Sequence, residues 1–467
     1  MSPTIIRNTT IVTIDPGHRV LYDAAIAVGD DGTIAEVGPS DEVASHHPDA
    51  EVVDGRAKAV FPGFFNCHTH LSATLSRGIQ EDFAFPTVLQ FPQPITSFLS
   101  TEEFQVMAVL GAIEGIRSGT TTFFEIGQNV SSYINPVINT GARFVLGEAV
   151  RDVNYNVIVA GSPLRSSADF SEHLADEGFT RAVDLFEKLH GSNDGLVSVY
   201  FSPGTADSVS PMVLRKSREL AEERGVGYTI HLSQSHQEVA GVAAAWGVRP
   251  AHYLNVNEFL GPRLVAAHCR YLDESEIRVM GRARVGVSNN PAIAARRGAA
   301  APAMDLVEAG AVLGIGTDNM AEDMVEAMRT GLFVERVRTN DEMRPGADDV
   351  FEWATLGGAR IMGMDQETGS LEVGKQADLF IANLRKAHLV PTLHTISDFV
   401  HNGQASDIES VMVAGNFIMR DGAITTVDEA DILRRAETIA HRAWKQMTDT
   451  YPDVPFPVRL ADGPSVT

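Results

Sequence analysis

Eight apolar runs, each ending in a polar or small residue, limit most strongly how this chain can fold. Stretches with helical character lie between them. In STEEFQVMAVLGAIEGIRSG, Ser100 and Glu103 form a capping box and Gly119 marks the end of the helix. Strands that alternate with helices over roughly 300 residues predict an α/β fold, a (β/α)8 barrel of the TIM type. In chain order the runs are AVFPGFFNCH, TTTFFEIG, ARFVLGEAV, LVSVYFSPG, GYTIHLSQ, RLVAAHC, ARVGVSNNP and AVLGIGTDN.

A different sequence pattern occurs at the two ends of the chain. Short β-like runs broken by Gly, Asp and Pro occupy residues 1–58 and return at residues 368–425. Such runs predict small antiparallel strands joined by turns. We therefore expect one small β-sandwich domain built from both termini, with the barrel (59–367) inserted between its halves. Residues 426–467 are expected to form a C-terminal helix and tail.

The composition limits the partners of the chain. Its formal net charge is −24, and a surface this acidic repels nucleic acid and anionic lipid. No secretory leader is visible, and no apolar run is long enough to span a bilayer. The two cysteines cannot form a disulfide framework. We expect a cytoplasmic protein that binds a small molecule and neither nucleic acid nor membrane.

Four of the predicted strand ends carry side chains of the kinds that bind metals. His68 and His70 end the first run, His231 ends the fifth, His268 the sixth and Asp318 the eighth. The carboxyl ends of barrel strands meet on one face, and residues two apart on a strand point the same way. Three imidazoles and a carboxylate leave one coordination position open. The sequence predicts one divalent metal per chain, Zn or alternatively Co, Mn or Fe.

Each of these residues also has a structural interpretation. His268 could be a buried histidine bonded to backbone, and Asp318 could cap the next helix. Their joint occurrence at four strand ends favours the metal centre. Cys67 and Cys269 are neighbours of predicted site histidines, so both thiols should turn away from the metal and pack as buried fillers.

Several segments occur in the order of a known family, and they extend from the first barrel strand to the C-terminal sheet. The chain resembles the amidohydrolase superfamily, in particular atrazine and triazine hydrolases and cytosine- or guanine-type deaminases. The resemblance implies that His68, His70, His231 and Asp318 are metal ligands and that His268 orients water or substrate. The segments that carry it are FPGFFNCHTHLSATLSRG, SGTTTF, IHLSQ, AAHC, GIGTDN, ATLGGARIMGM and GSLEVGKQADLFI.

One position departs from the deaminase pattern. The strand-five motif of that branch is usually His-x-x-Glu, but the matching residue here is Gln234. An amide has no proton to exchange near neutral pH, which counts against a ring deaminase. Asp318 is instead expected to act as general base on metal-bound water, while His268 fixes the attacking hydroxide or the developing oxyanion.

The leading hypothesis is a metal-dependent hydrolase that cleaves a C–N or C–S bond of a carbamoyl-type group (urea, thiocarbamate or amide) in a small neutral hydrophobic molecule. Attack by metal-bound hydroxide would carry the reaction. The chain resembles phenylurea hydrolases and molinate (thiocarbamate) hydrolase, which degrade herbicides. The alternatives are a heteroaromatic ring deaminase or dechlorinase and a catalytically inactive scaffold homologue. Gln234 and His236 are expected to contact substrate, although His236 could also be a solvated loop histidine.

Two further features leave alternatives open. The loop EDFAFPTVLQFPQPITSF is rich in Phe and Pro and has no basic residue, which predicts an apolar pocket rim, a subunit interface or both. A homo-oligomer is therefore expected. The fourth run lacks a lysine to bridge two metals, but Glu148 could bridge a second one unless it pairs with an arginine such as Arg151. A single metal is preferred.

Overall fold

The structure is a computed structural model that describes residues 3–82, 93–153 and 169–454. The first strands in chain order belong to a sheet built from the chain termini. They are β1 (Thr4–Val12), β2 (Val20–Val28), β3 (Ile34–Pro39), β4 (Glu51–Asp54) and β5 (Lys58–Pro62).

The next eight strands form a parallel barrel in which neighbours in sequence are neighbours in space. The first and last of them join where the amide of His70 donates to the carbonyl of Asp318 (2.8 Å) and the amide of Asp318 donates to the carbonyl of His68 (2.9 Å). The predicted (β/α)8 architecture is confirmed. The strands are β6 (Phe64–Thr69), β7 (Thr120–Gly127), β8 (Arg143–Val150), β9 (Val197–Pro203), β10 (Tyr228–Leu232), β11 (Leu264–His268), β12 (Gly286–Asn289) and β13 (Val312–Ile315).

The terminal sheet is completed by four strands after the barrel. They are β14 (Leu379–Asn383), β15 (Ile408–Val413), β16 (Asn416–Arg420) and β17 (Ala423–Ile424). The strand order is β17-β16-β15-β14-β5-β1-β2-β3, with β4 paired to β1. Because β5 and β14 pair antiparallel, the two ends of the chain form one small domain, as expected from the sequence.

The helices cover the barrel and both chain ends. The capping box at Ser100 and Glu103 is present, and the helix that follows it ends as predicted. No helix of the described residues is long and apolar enough to cross a membrane. The helices are α1 (Ser40–His46), α2 (Thr101–Arg117), α3 (Ile134–Ile138), α4 (Glu172–Leu189), α5 (Pro211–Arg224), α6 (His236–Trp246), α7 (Pro250–Val256), α8 (Glu274–Arg282), α9 (Pro291–Arg296), α10 (Ala303–Ala309), α11 (Met324–Thr339), α12 (Ala347–Glu352), α13 (Gly358–Ile361), α14 (Thr395–Asn402) and α15 (Glu429–Thr450).

The first apolar run, AVFPGFFNCH, forms two strands rather than one. β5 belongs to the terminal sheet and β6 to the barrel, and Gly63 lies between them. A Cβ atom on Gly63 would lie 2.1 Å from the hydroxyl of Thr121, so only glycine fits this junction. The amide of Gly63 donates to the carbonyl of Asp378, which ties the junction to the segment that leads into β14.

Aromatic rings join the terminal sheet to the barrel. Phe61 on β5 lies 5.1 Å from Phe380 on β14 and 4.9 Å from Phe399 on α14, measured between ring centroids. Phe64 on β6 contacts Phe380 from the barrel side, at 4.8 Å. Such clusters bury large apolar areas, so the sheet and the barrel share one core. The opposite face of the sheet has a core of its own.

Candidate metal centre

Five predicted residues converge at the carboxyl end of the barrel. Nε2 of His68 and Nε2 of His70 lie 3.5 Å and 3.6 Å from Oδ1 of Asp318. Nε2 of His231 lies 3.3 Å from Nε2 of His70. The ring of His268 lies 5.0 Å from the ring of His68, between centroids. The structure therefore assembles the group that the strand ends predicted.

Potential ligand atoms occur here in two overlapping groups. One contains His68, His70 and His231, and the other contains His68, His268 and Asp318. Within each group the ligand atoms lie within 4.8 Å of one another. The hydrogen bonds of the histidines decide which of them can bind a metal.

Two histidines are oriented by backbone carbonyls. Nδ1 of His70 donates to the carbonyl of Ile126 (2.7 Å), and Nδ1 of His231 donates to the carbonyl of Gly204 (2.9 Å). A proton on Nδ1 leaves Nε2 with a free lone pair, and this is the usual arrangement for a metal-binding histidine. Both Nε2 atoms lie in the centre of the group.

His268 is held in the opposite tautomer. Its Nδ1 accepts from the guanidinium of Arg270 (3.2 Å) and from the amide of Asn290 (3.1 Å). Because arginine can only donate, Nδ1 of His268 carries no proton, and the neutral ring has its proton on Nε2. Binding a metal through Nε2 would require an imidazolate. In this tautomer the Nε2–H of His268 can donate a hydrogen bond and offers no lone pair to a metal.

The ionisation of the group suits a cation. Burial, with His68 nearby, lowers the pKa of His70 to about 4, and burial also lowers the pKa of His231 well below its usual value. Burial alone would raise the pKa of Asp318, but His268 and His68 outweigh it and hold that pKa well below its usual range. Neutral imidazoles beside a carboxylate are the donor set that zinc prefers.

The backbone is strained where the last two site residues leave their strands. His268 has φ 77° and Asp318 has φ 72°, in the left-handed region that residues other than glycine rarely adopt. Such conformations persist only where the surrounding structure imposes them, and they concentrate at functional sites. In addition, the buried Nε2 atoms of His68 and His268 have no hydrogen-bond partner among the described residues. A metal bound to Nε2 of His68, and a water or substrate atom that accepts a hydrogen bond from Nε2 of His268, would satisfy both atoms.

A cavity of about 380 Å³ opens onto the centre. Its walls include His70, His231 and Asp318, and Gln234 lies among its lining residues. His236 is not among its lining residues; this residue begins α6, and its ring contacts Tyr271 in a tilted arrangement, with 4.0 Å between centroids and 42° between the ring planes. Of the two predicted substrate contacts, only Gln234 faces the cavity. Most of the Phe- and Pro-rich loop, residues 83–92, lies outside the described part of the chain.

Glu148 makes structural contacts beside the barrel strands. Its carboxylate accepts the amides of Asn129 and Val130 (2.9 Å each) and pairs with Arg181 (2.8 Å). The alternative prediction, that Glu148 pairs with an arginine, is confirmed, but the arginine is Arg181 and not Arg151. Neither ligand group found among the described residues includes Glu148. Cys67 and Cys269 are buried in the core, as predicted.

Three residues of the site were not anticipated. Arg270 and Asn290 orient His268, and Glu125 lines the cavity. Glu125 accepts the amide of Leu71 (2.9 Å) and the hydroxyl of Tyr133 (2.8 Å), and burial raises its pKa to about 8. The polar residues at the ends of the second and seventh runs, TTTFFEIG and ARVGVSNNP, could have indicated Glu125 and Asn290.

Residues 59–418 match the model of the Amidohydrolase family. This match spans more than half of the chain, so the protein belongs to that family and is a metal-dependent hydrolase that acts on C–N bonds. A 5'-deoxyadenosine deaminase of Methanobrevibacter smithii is 32% identical over 410 residues, which cover 86% of this chain and 90% of the relative.

Two solved structures are similar to the whole chain. An adenosine deaminase of Xanthomonas campestris with bound zinc is 28% identical, has a TM-score of 0.85 and covers 95% of this chain and 99% of its own. An atrazine chlorohydrolase of Arthrobacter aurescens complexed with zinc shares the fold at 20% identity, with a TM-score of 0.83 and coverage of 94% and 100%. Neither of the two more similar proteins is named a phenylurea or thiocarbamate hydrolase, so the expected resemblance to those enzymes finds no support in them.

Proposed function

We propose that this amidohydrolase removes an amino group hydrolytically from a heteroaromatic ring of the kind found in adenine nucleosides. The observation that supports this most strongly is the likeness to a 5'-deoxyadenosine deaminase over 86% of the chain. The likeness to an adenosine deaminase structure with bound zinc, covering 95% of the chain, supports it independently. A cavity of about 380 Å³ beside the centre fits a small-molecule substrate.

The residues of the centre fit a divalent metal, and His68, His70, His231 and Asp318 would hold it. When bound, such a metal makes a coordinated water more acidic and polarises the substrate. Asp318 is ionised, because its pKa lies well below the usual range, so its carboxylate can accept the proton of the attacking water. It can then deliver that proton to the departing amine.

His268 stabilises charge rather than moving a proton. The groups that donate to Nδ1 of His268 keep its proton on Nε2. Burial, together with the nearby charge of Arg270, lowers the pKa of His268 well below its usual value. A neutral donor fixed before the reaction begins stabilises the negative charge that develops on the attacked group.

Gln234 sets a limit on this chemistry. Its side chain lines the cavity, where it can donate a hydrogen bond to a ring nitrogen, but it cannot transfer a proton. Asp318 must therefore supply the proton for the leaving amine unaided. The proposal accordingly favours rings that are already activated toward attack.

Gln234 also favours a second candidate, cleavage of a carbamoyl C–N bond in an N-aryl urea or a related amide. That reaction has no ring nitrogen to protonate, so an amide at position 234 is sufficient. The remaining roles of Asp318 and His268 would be unchanged. An aniline leaving group would need little acid assistance.

A substrate panel separates the two candidates. Zinc-loaded enzyme is incubated with 5'-deoxyadenosine, adenosine, an amino-triazine, an N-aryl-N′,N′-dimethylurea, whose hydrolysis yields aniline, dimethylamine and CO2 but no ammonia, and a thiocarbamate, and products are resolved by chromatography while ammonia is measured directly. Ring deamination predicts ammonia and the oxo-product from at least one ring substrate. Release of an aniline without any ammonia would overturn the first candidate and support the second. Asp318→Asn is the matched inactive control for both.

A further inference from the structure

The metal ligands are divided across the junction between the first and last barrel strands. His68 is the penultimate residue of β6, His70 directly follows that strand, and Asp318 follows β13. The two backbone hydrogen bonds between these segments form an isolated bridge. The approach is close, since a Cβ atom on Gly316 would lie 2.8 Å from the amide nitrogen of His68. Any movement at this junction changes the distance between the histidines and Asp318.

A buried glutamate crosses the same junction. Oε2 of Glu322 accepts hydrogen bonds from Thr317 Oγ1 (2.6 Å), Thr69 Oγ1 (2.7 Å) and Asn66 Nδ2 (3.0 Å). Thr69 stands between the two ligand histidines, and Thr317 directly precedes Asp318. Glu322 is fully buried. One carboxyl oxygen thereby connects both ligand-bearing segments.

The position of Glu322 is itself fixed from a third element. The hydroxyl of Ser118, the C-cap of α2, accepts the amide of Met324 (3.0 Å) and shares its one hydrogen between the carbonyls of Gly115 (2.8 Å) and Glu322 (3.1 Å). The amide of Thr317 donates in turn to Oδ1 of Asn66 (3.1 Å). These contacts hold the loop after β13 in place, and from this loop the side chain of Glu322 reaches β6.

We propose that Glu322 is a positioning residue for the metal, which sets the separation of His68 and His70 from Asp318 through Thr69, Asn66 and Thr317. Glu322 is not itself in either ligand group found among the described residues. The inference rests on the metal centre and not on the proposed substrate, so zinc binding tests it whichever substrate the enzyme turns over.

The test is competition for zinc between a chromogenic chelator and the full-length enzyme. Glu322→Ala removes the shared acceptor, and we expect zinc to bind about 10- to 100-fold more weakly, the usual effect of losing a residue that orients ligands. Burial raises the pKa of Glu322 to about 8, so the neutral amide of Glu322→Gln is a close mimic. We expect this variant to bind zinc within about threefold of wild type, because its carbonyl oxygen can still accept.

Two threonine variants keep the test decisive if Glu322→Ala does not fold. Thr69→Val removes one donor to Glu322, and Thr9→Val removes a comparable buried hydroxyl that bonds the carbonyl of Lys58 in the terminal sheet. Both should lose stability, but only Thr69→Val should bind zinc more weakly, by about fivefold, the equivalent of one hydrogen bond. Wild-type zinc affinity in folded Glu322→Ala or in Thr69→Val would overturn the proposal, as would an equal loss in Thr9→Val.

Discussion

The two sides of the catalytic centre are built differently. On the metal side, His70 and His231 are oriented by backbone carbonyls and present bare Nε2 atoms. On the substrate side, His268 is oriented by the side chains of Arg270 and Asn290 and presents Nε2–H. The same side chain thus serves two opposite purposes, and the partner of Nδ1 selects between them. Loss of metal and loss of catalysis should consequently be separable by mutation.

The largest effect is expected on the metal side. His231→Ala removes a ligand, so we expect bound zinc to fall below about a tenth of an equivalent and turnover to fall by about 10³-fold or more. Elemental analysis of the purified variant, beside a steady-state assay, measures both. Retention of a full zinc equivalent would show that His231 is not a ligand.

A large effect without metal loss is expected on the substrate side. Arg270→Met removes one of the two donors to Nδ1 of His268, so its ring can adopt the wrong tautomer, and we expect turnover to fall by about 10²-fold. Arg270 also lies 3.8 Å from Oδ2 of Asp318. Because its loss removes a positive charge that competes with the cation for this carboxylate, zinc content should stay near that of wild type. Arg143→Met is the matched control, because Arg143 is also buried but pairs with Asp378 away from the centre. If Arg270→Met loses zinc in proportion to activity, the two sides are not separable.

Gln234→Glu tests proton transfer on the substrate side. A carboxyl group at this cavity position can transfer protons, so we expect about a tenfold higher kcat for ring deamination and no gain with an N-aryl urea. The ratio of the two rates, measured with the same enzyme preparation, is the readout. A gain confined to the urea would contradict the proposed division of roles.

The smallest expected effect is on how the free energy of unfolding depends on pH, through a glutamate that holds the loop carrying Gln234. Glu238 accepts the amides of Ser233 and Gln234 (2.8 Å each), and burial together with Asp207 raises its pKa well above the usual value. Between the unfolded and the folded pKa, the folded state holds a proton that the unfolded state has lost. The free energy of unfolding should therefore fall as pH rises above the unfolded pKa, by at most about 1.4 kcal/mol per pH unit from this group.

Glu238→Gln cannot titrate, so its free energy of unfolding should decline less steeply with rising pH than that of wild type. Denaturant unfolding at several pH values from mildly acidic to mildly alkaline measures the slope. The variant is expected to be less stable overall, since an amide cannot accept both backbone amides. Equal slopes in both proteins would show that Glu238 does not hold its proton in the folded state.

Much of the fold and the metal side could be predicted because the signals are local. Apolar runs, the capping box at Ser100 and the strand-end positions of His68 and His231 are written in neighbouring residues. Several contacts that hold the side chains around the centre are not local. Asn290 meets His268 across 22 positions, and Arg181 meets Glu148 across 33, so only the packed barrel reveals them. Gln234 pointed to a limit on proton transfer, but one residue could not define the substrate class.

The most direct test of the account is the tautomeric state of the histidines, measured by nitrogen NMR of zinc-loaded enzyme with ¹⁵N-labelled histidine. Loss of a signal in His268→Gln assigns that residue, and loss in His231→Ala assigns a ligand. We expect His231 to be protonated at Nδ1 with zinc on Nε2, and neutral His268 to be protonated at Nε2. A proton on Nδ1 of His268, or zinc on its Nε2, would contradict this expectation.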